Sequence, residues 1–341
     1  MPKRVGNLMP RIASLENLHE AFLRTMRGKE GKQTLVRYRE QLNDNLMQMQ
    51  RELLDGTFRF GRYNFFEITD QKRRTICAAS LPENIAFHAM MRICHPVFDN
   101  FQMYSSFASR PEKGTHKALA YAQKCAGRYQ WFAKLDVCKF FYNISHEVMM
   151  RQLCQLFKDP VLLLHFQHVI DSYEASAGRG LPIGNLTSQY FANHYLAVAD
   201  HWGKECLHVA NMVRYMDDVI LFSDRYDELM RQVRTLTRFM GDELQLELHD
   251  PVVNRTKFGI PFLGYVVYRD DLRLTQRSQR RYRMKMYELA RSLTAGEICD
   301  MEYVQRAQCL VAFVEKADSS GYRHFLERVH KGIYPKELPT A

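Results

Sequence analysis

The stretch that most constrains this chain is Met212-Val213-Arg214-Tyr215-Met216-Asp217-Asp218-Val219-Ile220-Leu221-Phe222, where two adjacent carboxylates stand between two short apolar runs. The pattern reads as two strands joined by a tight turn, with both acids exposed at its tip. Adjacent side chains on a regular strand face opposite ways, so two acids that share one site belong in a turn. A nucleotidyl transferase needs such acids, because hard carboxylate oxygens hold two Mg²⁺ ions, one activating an attacking 3′-hydroxyl and one neutralising the departing pyrophosphate. A plain hairpin with an acidic turn fits the same string, since Asp is a common turn residue. The rest of the chain has to decide.

A chain of 341 residues with 46% hydrophobic content has room for two or three lobes with buried cores. Its 48 Lys and Arg exceed 38 Asp and Glu by ten, which points to a polyanionic partner. The basic residues lie at Lys3, Arg4 and Arg11, at Lys72-Arg73-Arg74, and from Arg277 to Lys285, a distributed path of the kind nucleic acid follows. Eight cysteines without paired short spacing exclude a zinc knuckle and a disulfide framework and imply reduced, mostly buried thiols. The start Met-Pro-Lys-Arg lacks a signal-peptide apolar run, and no stretch reaches the roughly 18 apolar residues a membrane span needs, so a soluble intracellular protein is expected.

Apolar periodicity predicts helices over Leu15 to Met26 and Leu35 to Leu54, then strands over Tyr63 to Thr69 and Thr75 to Ala79 around the basic turn Asp70-Gln71-Lys72-Arg73-Arg74. That tip is either simply solvated or closes over an incoming triphosphate, whose oxygens guanidinium and ammonium groups bind. Leu81 to Phe98 reads as a helix opened by Pro82 and Glu83, in which His88 and His95 are packing residues rather than metal ligands. The loop Ser105 to His116 leads into a helix over Lys117 to Cys125 and either approaches a phosphate or merely connects.

Trp131 to Val137 reads as a buried strand in which Asp136 stands at the end, followed by the aromatics Phe140-Phe141-Tyr142. Asp136 either caps the next helix or completes a metal cage with Asp217 and Asp218. After helices over Val148 to Phe157 and Val161 to Tyr173, the loop Gly178 to Gln189 carries three glycines and opens a long helix through Leu207. Glycines there allow close backbone approach, as to a template strand. A P-loop is excluded, because no Gly-Lys-Ser or Gly-Lys-Thr follows. Helices over Asp227 to Leu244, from Thr275 onward, over Tyr303 to Glu315 and over Arg323 to His330 complete the reading, with strands at Leu246 to Leu248 and Phe262 to Val267.

In order, Leu135-Asp136, the glycine loop, Tyr215-Met216-Asp217-Asp218 and Phe262-Leu263-Gly264-Tyr265 resemble a reverse transcriptase. The resemblance implies an α+β right-hand polymerase fold: N-terminal helices and fingers over 1–130, a palm with an antiparallel sheet and interleaved helices over 131–268, and a small helical thumb with the C-terminus over 269–341. It implies two Mg²⁺ ions held by Asp136, Asp217 and Asp218, with the Val137 carbonyl as a further ligand. Lys72 and Arg74 match residues that contact the dNTP triphosphate, and Phe141 matches the sugar gate. Ile183, Gly184 and Gln189 match the loop lining the templating base pair. Where many members place a lysine as proton donor to pyrophosphate, this chain has His249-Asp250-Pro251-Val252-Val253; His249 could serve or be an ordinary surface histidine.

Most reverse transcriptases carry Gln and Pro where this chain has Ile183 and Gln189. That departure, with Ser109 to His116, resembles the enzymes of diversity-generating retroelements. Such enzymes copy a structured template RNA into cDNA with frequent errors opposite adenine, for mutagenic retrohoming that diversifies a target gene. They work in the bacterial cytoplasm, encoded by the cell or a phage, with a pentameric accessory variability protein. The alternatives are another bacterial reverse transcriptase, from a retron, a group II intron or a phage-defence system, or a non-catalytic RNA-binding scaffold.

Overall fold

The computed structural model describes residues 3–28, 33–69 and 73–317. Two short N-terminal helices, α1 (Met9–Ile12) and α2 (Leu15–Met26), are followed by α3 (Gln33–Glu40) and α4 (Leu42–Asp55). Ser14 starts α2 by accepting the Asn17 amide, as an N-cap serine should. The single helix expected over Leu35 to Leu54 is two, broken at Gln41, whose φ of −115° and ψ of 31° are not helical. Periodicity runs through such a break when both pieces bury the same side.

A hairpin of β1 (Tyr63–Thr69) and β2 (Arg73–Ala79) precedes the long helix α5 (Leu81–Phe101), against which α2 packs. Phe65, Phe66 and Ile68 are exposed on the hairpin, so packing of its own faces does not hold it in place. Its base is pinned by one carboxylate. Glu83, only 1% exposed, accepts the Ser80 amide and hydroxyl on Oε2 and the Gly61 and Arg62 amides on Oε1. The acid expected to favour the helix N-terminus therefore also orients the neighbouring hairpin.

After α6 (Thr115–Arg128), β3 (Trp131–Leu135) enters the central sheet, followed by α7 (Phe140–Asn143), α8 (His146–Leu156), α9 (Pro160–Asp171) and α10 (Leu186–Glu205). The hairpin β4 (Asn211–Tyr215) and β5 (Asp218–Ser223), then α11 (Tyr226–Asp242) and β6 (Val252–Arg255), complete an antiparallel sheet of order β4-β5-β3-β6. Side chains alternate across it, and both faces are covered. Ala133, Leu135, Val219 and Leu221 join one core with α5, α8, α9, α10 and α11, whereas Phe132, Ile220 and Phe222 join a second core on the other face. Fully burying each of these Phe rings contributes roughly 2–3 kcal/mol of transfer free energy.

The second core is closed by a three-stranded sheet of β7 (Ile260–Phe262), β8 (Tyr265–Val267) and β9 (Leu272–Leu274), and by α12 (Gln276–Thr294) and α13 (Asp300–Glu315). Here the sequence reading needs correction. Phe262 to Val267 is a hairpin and not one strand, because Leu263 and Gly264 both have positive φ, the signature of a two-residue type I′ turn. Leu246 to Leu248 forms only the bridge Val137↔Leu248; the strand lies later, at β6. The helix expected at Arg323 to His330 and the tip residue Lys72 lie outside the described residues. The thiols are not mostly buried either: Cys77, Cys94 and Cys125 are, but Cys154, Cys206, Cys299 and Cys309 are exposed. The α+β architecture with antiparallel sheets is as expected. No helix among the described residues is long and apolar enough to cross a membrane.

Replacing Glu83 by Gln should cost about 1–3 kcal/mol, because a neutral amide cannot accept from four donors as the carboxylate does. Urea unfolding measures the loss, and amide exchange at Gly61 and Arg62 should accelerate more than exchange in β3.

Candidate active site

The hairpin β4–β5 turns through Met216 and Asp217, with Tyr215 paired to Asp218. Met216 has a φ of +53° and Asp217 does not share the positive value, the pattern of a type II′ turn, whose twist matches its strands. Asp217 therefore sits in the turn and Asp218 opens β5. Neither is exposed at the tip as expected; both are half-buried. The β3–β5 register pairs Leu135 with Val219, and one further step sets Asp136 opposite Asp218. Antiparallel pairing thus brings Asp136 to the adjacent pair Asp217 and Asp218, far away in sequence, at one end of the central sheet. The face carrying Lys134 and Asp218 opens into a cleft of about 640 Å³, whose other walls include Thr115, His116, Phe262, Gly264, Arg277 and Arg281.

Beneath the hairpin, on the opposite face, lies Arg214, a fully buried side chain. Its Nε donates to Asp200 Oδ2 at 2.7 Å, its Nη1 to Asn193 Oδ1 at 2.7 Å and to the Met216 carbonyl at 3.3 Å, and its Nη2 to Gln102 Oε1 at 3.0 Å. The guanidinium ties the turn to α10 and to the end of α5. Sequence reading passed over it, although one arginine inside the apolar run Met212-Val213 to Val219 is the signal of a buried partner. Lys134, in the middle of β3, was missed in the same way.

The other expected site residues fall around these acids to different degrees. Arg74, exposed on β2, is close enough to Asp217 for its charge to be felt there. Phe141 is half-buried in α7, directly after the strand that leads to Asp136, and its carbonyl accepts the Leu181 amide at 2.8 Å. The bridge at Val137 uses the Asp136 carbonyl, which accepts from His249 N, and the Cys138 amide, so the Val137 carbonyl is not spent on it. His249 thus adjoins Asp136 through its backbone, with its side chain exposed.

The glycine loop approaches protein rather than open space at its key position. Ile183 accepts the Cys77 amide at 2.7 Å, and a Cβ on Gly184, whose φ is +116°, would stand 2.9 Å from Ile76 Cγ2 and 3.2 Å from the Cys77 carbonyl oxygen. Gly184 is therefore needed for contact with β2, where the sequence suggested a template strand. Gln189 is exposed and accepts from Ser109 Oγ at 3.1 Å, joining the two loops that set this sequence apart. Lys113 donates to the Tyr104 carbonyl at 2.9 Å and sits 3.6 Å above that ring, so it shapes its own loop. His95 meets the Tyr190 hydroxyl at 3.1 Å, consistent with a packing role.

Burial raises the Asp217 carboxyl above its ordinary value, Asp218 and Asp136 raise it further by repulsion, and Arg74 opposes them. Three hard carboxylate donors of this kind suit a divalent cation. Among the described residues, though, no three His, Cys, Asp or Glu side chains converge closely enough to hold a metal ion. Asp218 Oδ1 instead takes Lys134 Nζ at 2.8 Å.

Arg214→Met should destabilise the protein by about 3–5 kcal/mol, since it leaves Asp200 buried and unpaired, and adding Asp200→Leu should recover part of the loss in denaturant titrations. Asp217→Asn should raise the melting temperature in metal-free buffer near pH 7. An acid whose folded pKa lies above its unfolded one destabilises the fold at pH values above the folded pKa, and this penalty vanishes below the unfolded pKa. The gain should therefore shrink as the pH is lowered through the folded pKa of Asp217 toward 3.8, its ordinary value. A gain independent of pH would contradict the assignment.

Comparison with known proteins bears on this site. The pattern of the family described as reverse transcriptase (RNA-dependent DNA polymerase) matches residues 70–267, which include all three acids and the glycine loop. A protein of Saccharomyces cerevisiae named for intron 1 of COX1/OXI3 is 23% identical over 285 residues, covering 78% of this chain and 33% of its own length. A second, named for intron 2, is 20% identical over 305 residues, covering 70% and 35%. The chain thus spans about a third of the curated relatives it matches. Among solved structures, apo telomerase from Candida tropicalis superposes with a TM-score of 0.50 at 9% identity, over 79% of this chain and 59% of that one, a likeness of fold alone. With the family pattern covering more than half of its residues, the chain belongs to the reverse transcriptase family.

Proposed function

We propose that this protein is an RNA-directed DNA polymerase of the diversity-generating type, copying a structured template RNA into cDNA from dNTPs. The observation that carries the polymerase reading is the register that sets Asp136 opposite Asp218, which lines the cleft and follows Asp217 in its turn. Asp136, Asp217 and Asp218, with the Val137 carbonyl, would hold two Mg²⁺ ions. When bound, these ions supply charge neutralisation at the attacking and leaving oxygens. The chain's own residues do the rest. Arg74 on β2, together with Lys72 two residues earlier in the sequence, binds the triphosphate. Phe141 is assigned as the sugar gate that crowds a 2′-hydroxyl, and His249, whose backbone amide donates to the Asp136 carbonyl, is assigned as the proton donor to pyrophosphate. In this reading residues 1–130 are the N-terminal helices and fingers, 131–268 the palm and 269–341 the thumb and C-terminus.

Two residues support the diversity-generating assignment. Ile183 has its carbonyl taken by Cys77 and offers only an apolar side chain where Gln would offer an amide. A pocket without that polar contact discriminates less between correct and incorrect base pairs, because wrong partners leave no buried amide unpaired. Gln189, held by Ser109, is the second departure. Retrohoming into a target gene, and service with a pentameric accessory protein, belong to the same proposal. The intron-named relatives keep an intron-type reverse transcriptase as the competing assignment. A non-catalytic scaffold is disfavoured by the repulsion that Asp217 bears from its two neighbours.

Primer extension on a short RNA template with Mg²⁺ and dNTPs tests the proposal. The wild type should extend with errors concentrated opposite adenine, and Asp217→Ala should lose on the order of 10³-fold in rate. Ile183→Gln should lower the adenine error frequency at least severalfold while keeping extension. Accurate copying by the wild type would exclude the diversity-generating type. Absence of extension, with accessory protein and structured RNA supplied, would exclude the polymerase.

A further inference from the structure

We propose that Lys134 is a built-in counter-ion of the acid cluster: it holds Asp218 in the metal-free protein, releases it when a divalent cation binds, and so sets the cation affinity of the site. The proposal rests on the reading above, in which the three acids hold the cation.

The backbone makes the placement unavoidable. Lys134 lies on β3 two residues before Asp136, which directly follows the strand, so continuing the strand's alternation sets both on the same face. It pairs across the sheet with Ile220, two residues after Asp218, which puts Asp218 on that face as well. Its Nζ stands 2.8 Å from Asp218 Oδ1, and the two side chains are only 22% and 25% exposed, so water screens the pair less than an open surface bridge. Clustered carboxylates need a positive charge close by, and in the metal-free protein this ammonium provides one.

The same placement makes Lys134 a competitor. A dication drawn to Asp136, Asp217 and Asp218 meets an ammonium already bonded to one of its ligands and of like sign to itself. Loading the site therefore requires Lys134 to leave Asp218. Its flexible four-carbon stem allows that move, and the cleft it already lines gives it somewhere to go. Lys134 would thus be a positioning residue that acts through Asp218.

The test is Mn²⁺ binding to the full chain without nucleic acid, followed by electron paramagnetic resonance, for wild type, Lys134→Met, Lys134→Arg and Asp217→Asn. Lys134→Met should tighten Mn²⁺ roughly three- to tenfold, the loss of one partly shielded like charge, and should enlarge the Mn²⁺-induced rise in melting temperature. Lys134→Arg, which keeps the charge, should stay near wild type. Unchanged or weaker Mn²⁺ affinity in a folded Lys134→Met protein overturns the proposal. A Lys134→Met effect confined to the primer KM also overturns it, since it would assign Lys134 to a nucleic-acid phosphate. If Asp217→Asn leaves wild-type Mn²⁺ binding intact, the acids are not the cation site, and the polymerase reading fails with it.

Discussion

The site depends on a cation buried where no solvent can reach it. Arg214 lies beneath the turn that carries Asp217, and its guanidinium accounts for the polar groups of three elements at once: Asp200 and Asn193 on α10, Gln102 at the end of α5 and the Met216 carbonyl in the turn. A buried ion pair is weak evidence for stability, since desolvation offsets much of its attraction. Its value here is geometric. Five planar donors fix a direction that apolar contacts would leave loose, and the direction they fix is that of the Met216–Asp217 turn.

The central sheet separates this support from the chemistry. On one face, β4 presents Arg214 to α10, and on the other, β3 and β5 present Lys134 and Asp218 to the cleft. Asp217 therefore bears the repulsion of Asp136 and Asp218, while Arg214 braces its turn from the opposite face. Apolar cores on both faces of the sheet hold these strand ends in place.

Much of the site was legible because its residues are adjacent in sequence or stand at strand ends. The Asp217-Asp218 hairpin, Asp136 and the start of α5 at Pro82 and Glu83 followed from alternation and turn or cap chemistry. Register did not. Nothing local states that Asp136 faces Asp218 across β3 and β5, or that Gly184 is shaped by Ile76, because both are long-range pairings. Leu246 to Leu248 had strand composition yet forms one bridge, while Val252 to Arg255, largely exposed and behind a proline, forms the edge strand. Edge strands tolerate polar residues and neighbouring prolines, which is why composition misjudges them. Arg214 and Lys134 were overlooked because a charge inside an apolar run reads as an interruption until its partner is known.

The β1–β2 hairpin has few apolar anchors of its own, and its attachments are consequently selective. Cys77 on β2 donates to Ile183, Tyr63 on β1 accepts from Asn185 at 3.1 Å, and Glu83 clamps the base. The strand that carries Arg74 is thus stitched to the loop that carries Ile183. The two are mechanically joined: a displacement of β2 must drag the glycine loop with it, or break the Cys77–Ile183 bond. Any displacement of the strand that carries Arg74 is thereby transmitted to the backbone at Ile183.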